Sequence, residues 1–106
     1  MLRTLWEILV PTVRSFGENP KFYTTRYHRV WDKKVREISG GLTILSPTKG
    51  QWIHKGEFYE ERMIPVRICC TSLEIEKIAD MTAVYYNQKA VMYYKISDFV
   101  RIKTYE

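Results

Sequence analysis

Residues 40–70 read GGLTILSPTKGQWIHKGEFYEERMIPVRICC. Two glycines open this stretch, Ser46-Pro47-Thr48-Lys49-Gly50 and a turn around Lys55-Gly56 interrupt it, and a long run ending in Ile64-Pro65-Val66-Arg67-Ile68 closes it. Pro47 suits position i+1 of a turn, and glycine-containing pairs such as Lys55-Gly56 join antiparallel strands. The stretch therefore predicts a short strand over 42–45, a returning strand at 51–53 and a long strand from about 58 to 70. Alternation puts Ile64, Val66, Ile68 and Cys70 on one face and Met63, Pro65, Arg67 and Cys69 on the other. Pro65 lacks the N–H that a central strand needs, which predicts a bulge or a locally unpaired edge there.

Upstream, residues 3–10 alternate as a strand, with Trp6, Ile8 and Val10 on one face and Leu5, Glu7 and Leu9 on the other. Residues 14–23 carry Gly17, Asn19 and Pro20 and read as a long loop. Residues 25–39 repeat apolar positions at Tyr27, Val30, Trp31, Val35 and Ile38, the spacing of one helix face. Thr24 or Thr25 can cap its start, and Gly40 suits its end.

Downstream, Thr71 followed by Glu74 forms a capping-box signature for a helix over 72–87. Residues 90–96 then alternate as a strand. Ser97-Asp98 predicts a break, and Phe99–Thr104 could add a last strand. The order strand, helix, hairpin, strand, helix, strand is the split βαβ pattern. It predicts a single ferredoxin-like α+β domain over residues 1–106, with an inserted hairpin and two helices on one face of an antiparallel sheet. The expected core is Trp31, Val35, Ile38, Ile64, Val66, Ile68, Ile75, Ile78 and Ala79. The bare sheet face would expose an apolar patch, which predicts a homodimer or larger assembly, or a ligand, over it.

The motifs GLT at Gly41-Leu42-Thr43, GQW at Gly50-Gln51-Trp52 and the pair Glu61-Arg62 resemble those of a family of small uncharacterised ferredoxin-like proteins of bacteria and phages. The likeness covers the middle third of the chain and the placement of the second helix. The chain departs from the pattern in hairpin length and in carrying Met63-Ile64-Pro65 after the arginine. What the resemblance implies is a fold; it brings no activity and no catalytic residues.

Composition narrows the classes. Across 106 residues, 45% hydrophobic and 27% charged residues describe an ordinary globular chain. The net charge of +5 is compatible with an anionic partner. Apolar runs fall short of the ~20 residues of a membrane span, which predicts no membrane association. Adjacent Cys69 and Cys70 point to opposite faces, so they predict free thiols in a reducing, cytoplasmic setting. The two histidines lack ligand spacing, and nucleophile, phosphate-loop and paired-carboxylate motifs are absent from the sequence. The expectation is no metal, no cofactor and no catalytic residue, which favours a non-enzymatic protein and leaves the enzyme question open.

Three constellations remain. Arg26 and Arg29 lie in the first turn of the first helix, where cations oppose the helix dipole unless an anion joins them. Thr43, Gln51, Trp52, Glu61 and Arg62 could converge across strands to orient a base or sugar. Tyr85, Tyr86, Tyr93 and Tyr94 could stack nucleobases or pack in a core. The candidate ligand site is Arg26, Arg29, Gln51, Trp52, Glu61 and Arg62. The function expected is a non-enzymatic, homo-oligomeric protein holding an anionic nucleotide-like ligand, with a phage counter-defence protein that sequesters a signalling nucleotide as an analogy. The alternatives are a single-stranded RNA or DNA binder and a cofactor-free enzyme of the dimeric ferredoxin-like barrel type.

Overall fold

In a computed structural model the described residues are 3–15 and 21–105. Strand β1 is Arg3–Pro11, followed by two short strands, β2 (Val13–Ser15) and β3 (Lys21–Phe22). Helix α1 is Thr25–Ser39. Strands β4 (Thr43–Ile44), β5 (Thr48–His54) and β6 (Glu57–Cys70) follow. Helix α2 (Ser72–Tyr85) and strand β7 (Tyr93–Val100) complete the chain. The main sheet has the order β4-β6-β1-β7, with β5 also on β6, and every pairing is antiparallel. This is the ferredoxin-like α+β arrangement.

Local chemistry sets the helix ends. The Thr24 hydroxyl accepts from the Tyr27 N–H, and Gly40 at φ 94 closes α1 with its N–H on the Arg36 carbonyl. A left-handed φ of this kind carries little penalty for glycine. Thr71 and Glu74 form the reciprocal capping box at the start of α2. Both helices lie on one face, packing Trp31, Val35, Ile75 and Ile78 against Ile8, Val10, Val66 and Ile68. Of the expected core, Ile38 and Ile64 are only partly buried, while Ile8, Val10, Cys70 and Tyr86 join it. The Trp31 indole donates to Thr82 Oγ1 at 2.9 Å, so this buried polar pair is satisfied.

Several sequence expectations are corrected. The loop over 14–23 contains the β2–β3 ribbon; Gly17, Asn19 and Pro20 lie outside the described residues. The returning strand begins at Thr48, so only Ser46 and Pro47 interrupt the edge. The helix expected to reach residue 87 ends at Tyr85. The strand expected over 90–96 begins at Tyr93 and runs through Ser97-Asp98 to Val100, and no separate strand follows over 101–104. A register shift in β1 between Leu5 and Trp6 absorbs the irregularity opposite Ser97.

Pro65 needs no bulge, because β6 keeps an unbroken register on β1, with Leu9 opposite Pro65. Its carbonyl accepts from Leu45 N–H at 2.9 Å, so its amide side faces the gap between β4 and β5. The locally unpaired edge is thus the one that Ser46-Pro47 creates.

Candidate functional site

The register fixes which side chains share a face. On β5 and β6, Lys49 lies opposite Arg62 and Gln51 opposite Glu60, while Gly50 lies opposite Glu61 and Trp52 opposite Tyr59. Gln51 and Arg62 therefore project to the helix side of the sheet, and Trp52 and Glu61 to the open side. Thr43, opposite Arg67, also lies on the open side. The Gln51 amide donates to Glu60 Oε1 at 2.8 Å, and Lys49 Nζ stands 3.6 Å from the same oxygen. These contacts hold the Glu60 carboxyl below its usual range, the amide hydrogen bond foremost. Trp52 stacks on Tyr59 with ring centroids 5.7 Å apart.

Glu61 and Arg62 line a hollow of about 590 Å³ together with Val13, Phe22, Pro47 and Lys49. Burial raises the Glu61 carboxyl above its ordinary value. Arg29 lines a different groove of about 290 Å³, beneath α1, with Thr25, His28, Asp32, Ile44 and Ile64. Arg26 is exposed on α1. The six sequence-derived candidates thus divide between the helix and two faces of the hairpin.

Two clusters escaped the sequence reading. The first joins the two helices. Tyr27 and Tyr85 exchange hydroxyl-to-carbonyl hydrogen bonds, and the Tyr23 hydroxyl donates to the Tyr86 carbonyl at 2.8 Å. The Tyr86 hydroxyl meets His28 Nδ1 at 2.6 Å. Burial lowers the His28 pKa, and it raises those of Asp32 and Tyr86. The imidazole and the Tyr86 hydroxyl share this one hydrogen bond, and the imidazole tautomer sets which of them donates. Tyr86 is fully buried, so it serves as inter-helix packing and not as a base-stacking surface.

The second cluster lies on the open sheet face. Glu7, only 8% exposed, sits between Arg67 on β6 and Tyr94 on β7. Arg67 Nε donates to Glu7 Oε1 at 3.1 Å, and the Tyr94 hydroxyl donates to Oε2. The hydrogen bond to Glu7, reinforced by burial, pushes the Tyr94 pKa up to about 12. The available sequence signal was a lone acid and a lone base, Glu7 and Arg67, at polar positions of otherwise apolar strands. Among the described residues no cluster of His, Cys, Asp and Glu could hold a metal ion. Cys69 and Cys70 are free thiols, and burial pushes the Cys70 pKa up to about 12. No helix among the described residues is long and apolar enough to cross a membrane.

The architecture belongs to the ferredoxin-like class, and solved structures place it more closely. It is similar to the divalent cation tolerance protein CutA1 of Thermus thermophilus, at TM-score 0.66 and 12% identity, over 91% of this chain and 84% of that one. It is similar to the periplasmic divalent cation tolerance protein CutA of Archaeoglobus fulgidus, at TM-score 0.68 and 12% identity, over 96% and 89%. It is also similar to a phage SAM lyase solved in complex with S-methyl-5′-thioadenosine, at TM-score 0.62 and 13% identity, over 86% and 78%. At these identities the likeness is one of fold. No family model and no curated protein sequence matches the chain, so the resemblance suggested by the GLT, GQW and Glu-Arg motifs extends to a small ferredoxin-like fold and no further.

Proposed function

We propose that the protein is a non-enzymatic, self-assembling small-ligand-binding protein whose ligand is anionic and nucleotide-like. The observation that carries the reading is the β5–β6 arm. From Gln51 to Glu60 every residue is exposed, including Trp52, Ile53, Phe58 and Tyr59. A two-stranded ribbon is marginal in water without a partner surface, and exposed aromatic side chains on such a ribbon favour association. A second copy of the chain offers matching strand edges at β5 and β7. The arginines at the candidate positions 26, 29 and 62 favour an anion. The fold's occurrence in a protein bound to S-methyl-5′-thioadenosine supports a nucleoside body for it.

Sedimentation velocity across micromolar concentrations tests the assembly, and a monomer throughout would overturn it. Calorimetric titration with mono-, di- and cyclic nucleotides, S-methyl-5′-thioadenosine and short oligonucleotides tests the ligand. Arg26→Ala/Arg29→Ala should weaken binding without loss of stability, because each removed cation opposed the helix dipole. A salt-dependent signal confined to the oligonucleotides would move the reading to a nucleic-acid binder.

A second reading, an enzyme acting on an S-adenosyl compound, is favoured by the nearly buried Glu7 carboxylate bonded to Tyr94 on the open face. Incubation with S-adenosylmethionine, followed by chromatography for S-methyl-5′-thioadenosine, decides it.

A further inference from the structure

The open sheet face ends in a cleft of about 340 Å³, bounded by Arg3, Leu5, Thr43, Arg67 and Cys69 and by the Ser39–Leu42 connection. It lies at the far end of β6 from the arm. From Glu60 to Cys69 the strand makes nine steps of ~3.3 Å, roughly 30 Å. Two arginines face the cleft, and among the described residues no acidic side chain lines it.

Arg67 is held from behind. Its Nε bonds Glu7 Oε1, Glu7 Oε2 takes the Tyr94 hydroxyl, and Glu7 is itself nearly buried. The chain Tyr94–Glu7–Arg67 fixes the plane of the guanidinium through one nitrogen. Among the described residues its two terminal nitrogens have no hydrogen-bond partner, and on a side chain 44% exposed they remain for an incoming acceptor. A guanidinium ordered in advance loses less rotamer freedom on binding, and its fork matches two oxygens of one acid group. Glu7 neutralises one of the two cations near the cleft, which leaves a local charge of about +1 if Arg3 is counted. Leu5, Cys69 and Ile102 supply an apolar wall.

We propose that this cleft is an anion-binding site in which Arg67 grips the acid group, Arg3 closes over it and the apolar wall takes a compact organic body. The ligand class is a small organic anion bearing a carboxylate or a phosphate monoester. Glu7 and Tyr94 are positioning residues that act through Arg67. The inference rests on the binding-protein reading above for the ligand's class, but it assigns residues that reading does not use.

The test is titration of the full chain with phenyl phosphate, benzoate and inorganic phosphate, followed by calorimetry and by the Arg67 Nε–H resonance. Either organic anion should bind at millimolar concentration or better and shift that resonance, and the stronger of the two identifies the acid. Inorganic phosphate should bind more weakly, for want of a body. Arg67→Lys keeps the charge beside Glu7 but loses the fork, so affinity should fall about tenfold. Arg3→Ala should lower affinity several-fold with an unchanged melting temperature, which keeps the test sound if changes at Arg67 disturb the fold. Wild-type affinity in both variants, or no binding of any probe by the wild type, overturns the site. The two proposals fail separately. Nucleotides binding through Arg26 and Arg29 while phenyl phosphate and benzoate bind equally well to Arg67→Lys and the wild type would overturn this site and leave the nucleotide reading standing. Phenyl phosphate lost in Arg67→Lys while no nucleotide binds would do the reverse.

Discussion

The two ends of β6 lie in opposite surroundings, the first in water and the second in the core. From Ile64 to Cys70 the strand pairs with β1, and at Val66 and Arg67 also with β4, and Val66 and Ile68 are almost wholly buried under the helices. From Glu57 to Arg62 it pairs with β5 alone, and nearly every side chain is in water. Backbone pairing is equally regular in both halves, so regular hydrogen bonding is not what separates them. The difference is apolar burial, the dominant favourable term in folding. One half is stabilised by the domain, while the other keeps its shape through cross-strand pairs and awaits a surface.

The largest effect is expected in the buried half. Ile68→Ala should cost about 2–5 kcal/mol in urea denaturation, since the side chain is fully buried and leaves a cavity. A cost below ~1 kcal/mol would mean that the buried half is no better packed than the arm.

Next in size is Tyr86→Phe, which strips His28 of its partner while keeping the ring packing. It should cost about 1–2 kcal/mol. The same site gives a pH dependence. Burial depresses the His28 pKa in the folded state, so between its ordinary value near 6.5 and the depressed value the unfolded chain binds more protons. Stability should therefore be full above pH ~6.5 and decline as pH falls below it. His28→Gln should flatten that decline in melting curves taken at successive pH values. Asp32 works in the opposite direction at lower pH, because burial raises its pKa.

In the exposed half, Trp52→Ser/Phe58→Ser should leave the chain's own unfolding free energy within about 0.5 kcal/mol. It should abolish self-association in sedimentation if the arm is the assembly element. Smallest of all, Lys33→Ala removes an exposed pair 3.9 Å from Glu37 and should change stability by less than about 0.5 kcal/mol. A larger loss would show that surface charge supports α1 more than its packing suggests.

The fold was legible where the signal is local. Thr24, Gly40 and the Thr71–Glu74 box mark helix ends through neighbours within a few residues, and α1 starts and stops where its sequence says. The Lys55-Gly56 turn was equally plain, and both residues adopt the positive φ that a tight hairpin requires. The end of β7 was misread because Ser97 and Asp98 are turn residues by habit. In the fold Ser97 bonds to Phe99, and the strand pairs onward to Val100. Glu7, Arg67 and Tyr94 could not be joined by reading, because 60 residues separate the first two and their meeting depends on register. The candidates at Gln51, Trp52, Glu61 and Arg62 were correctly placed on one hairpin, but alternation divides them between its faces.

Pro65 carries a consequence for how the molecule breathes. Its missing amide hydrogen coincides with the gap at Ser46-Pro47, so the edge of the sheet is cut into two separately paired stretches. Opening the arm need not unzip the body. Amide exchange with deuterated water should therefore divide β6 at that residue. The amides from Glu57 to Arg62 should exchange through low-cost local openings, while those of Val66 to Cys70 should wait for unfolding of the whole domain. Where the arm is clasped by another molecule, the first group should slow and the second should not.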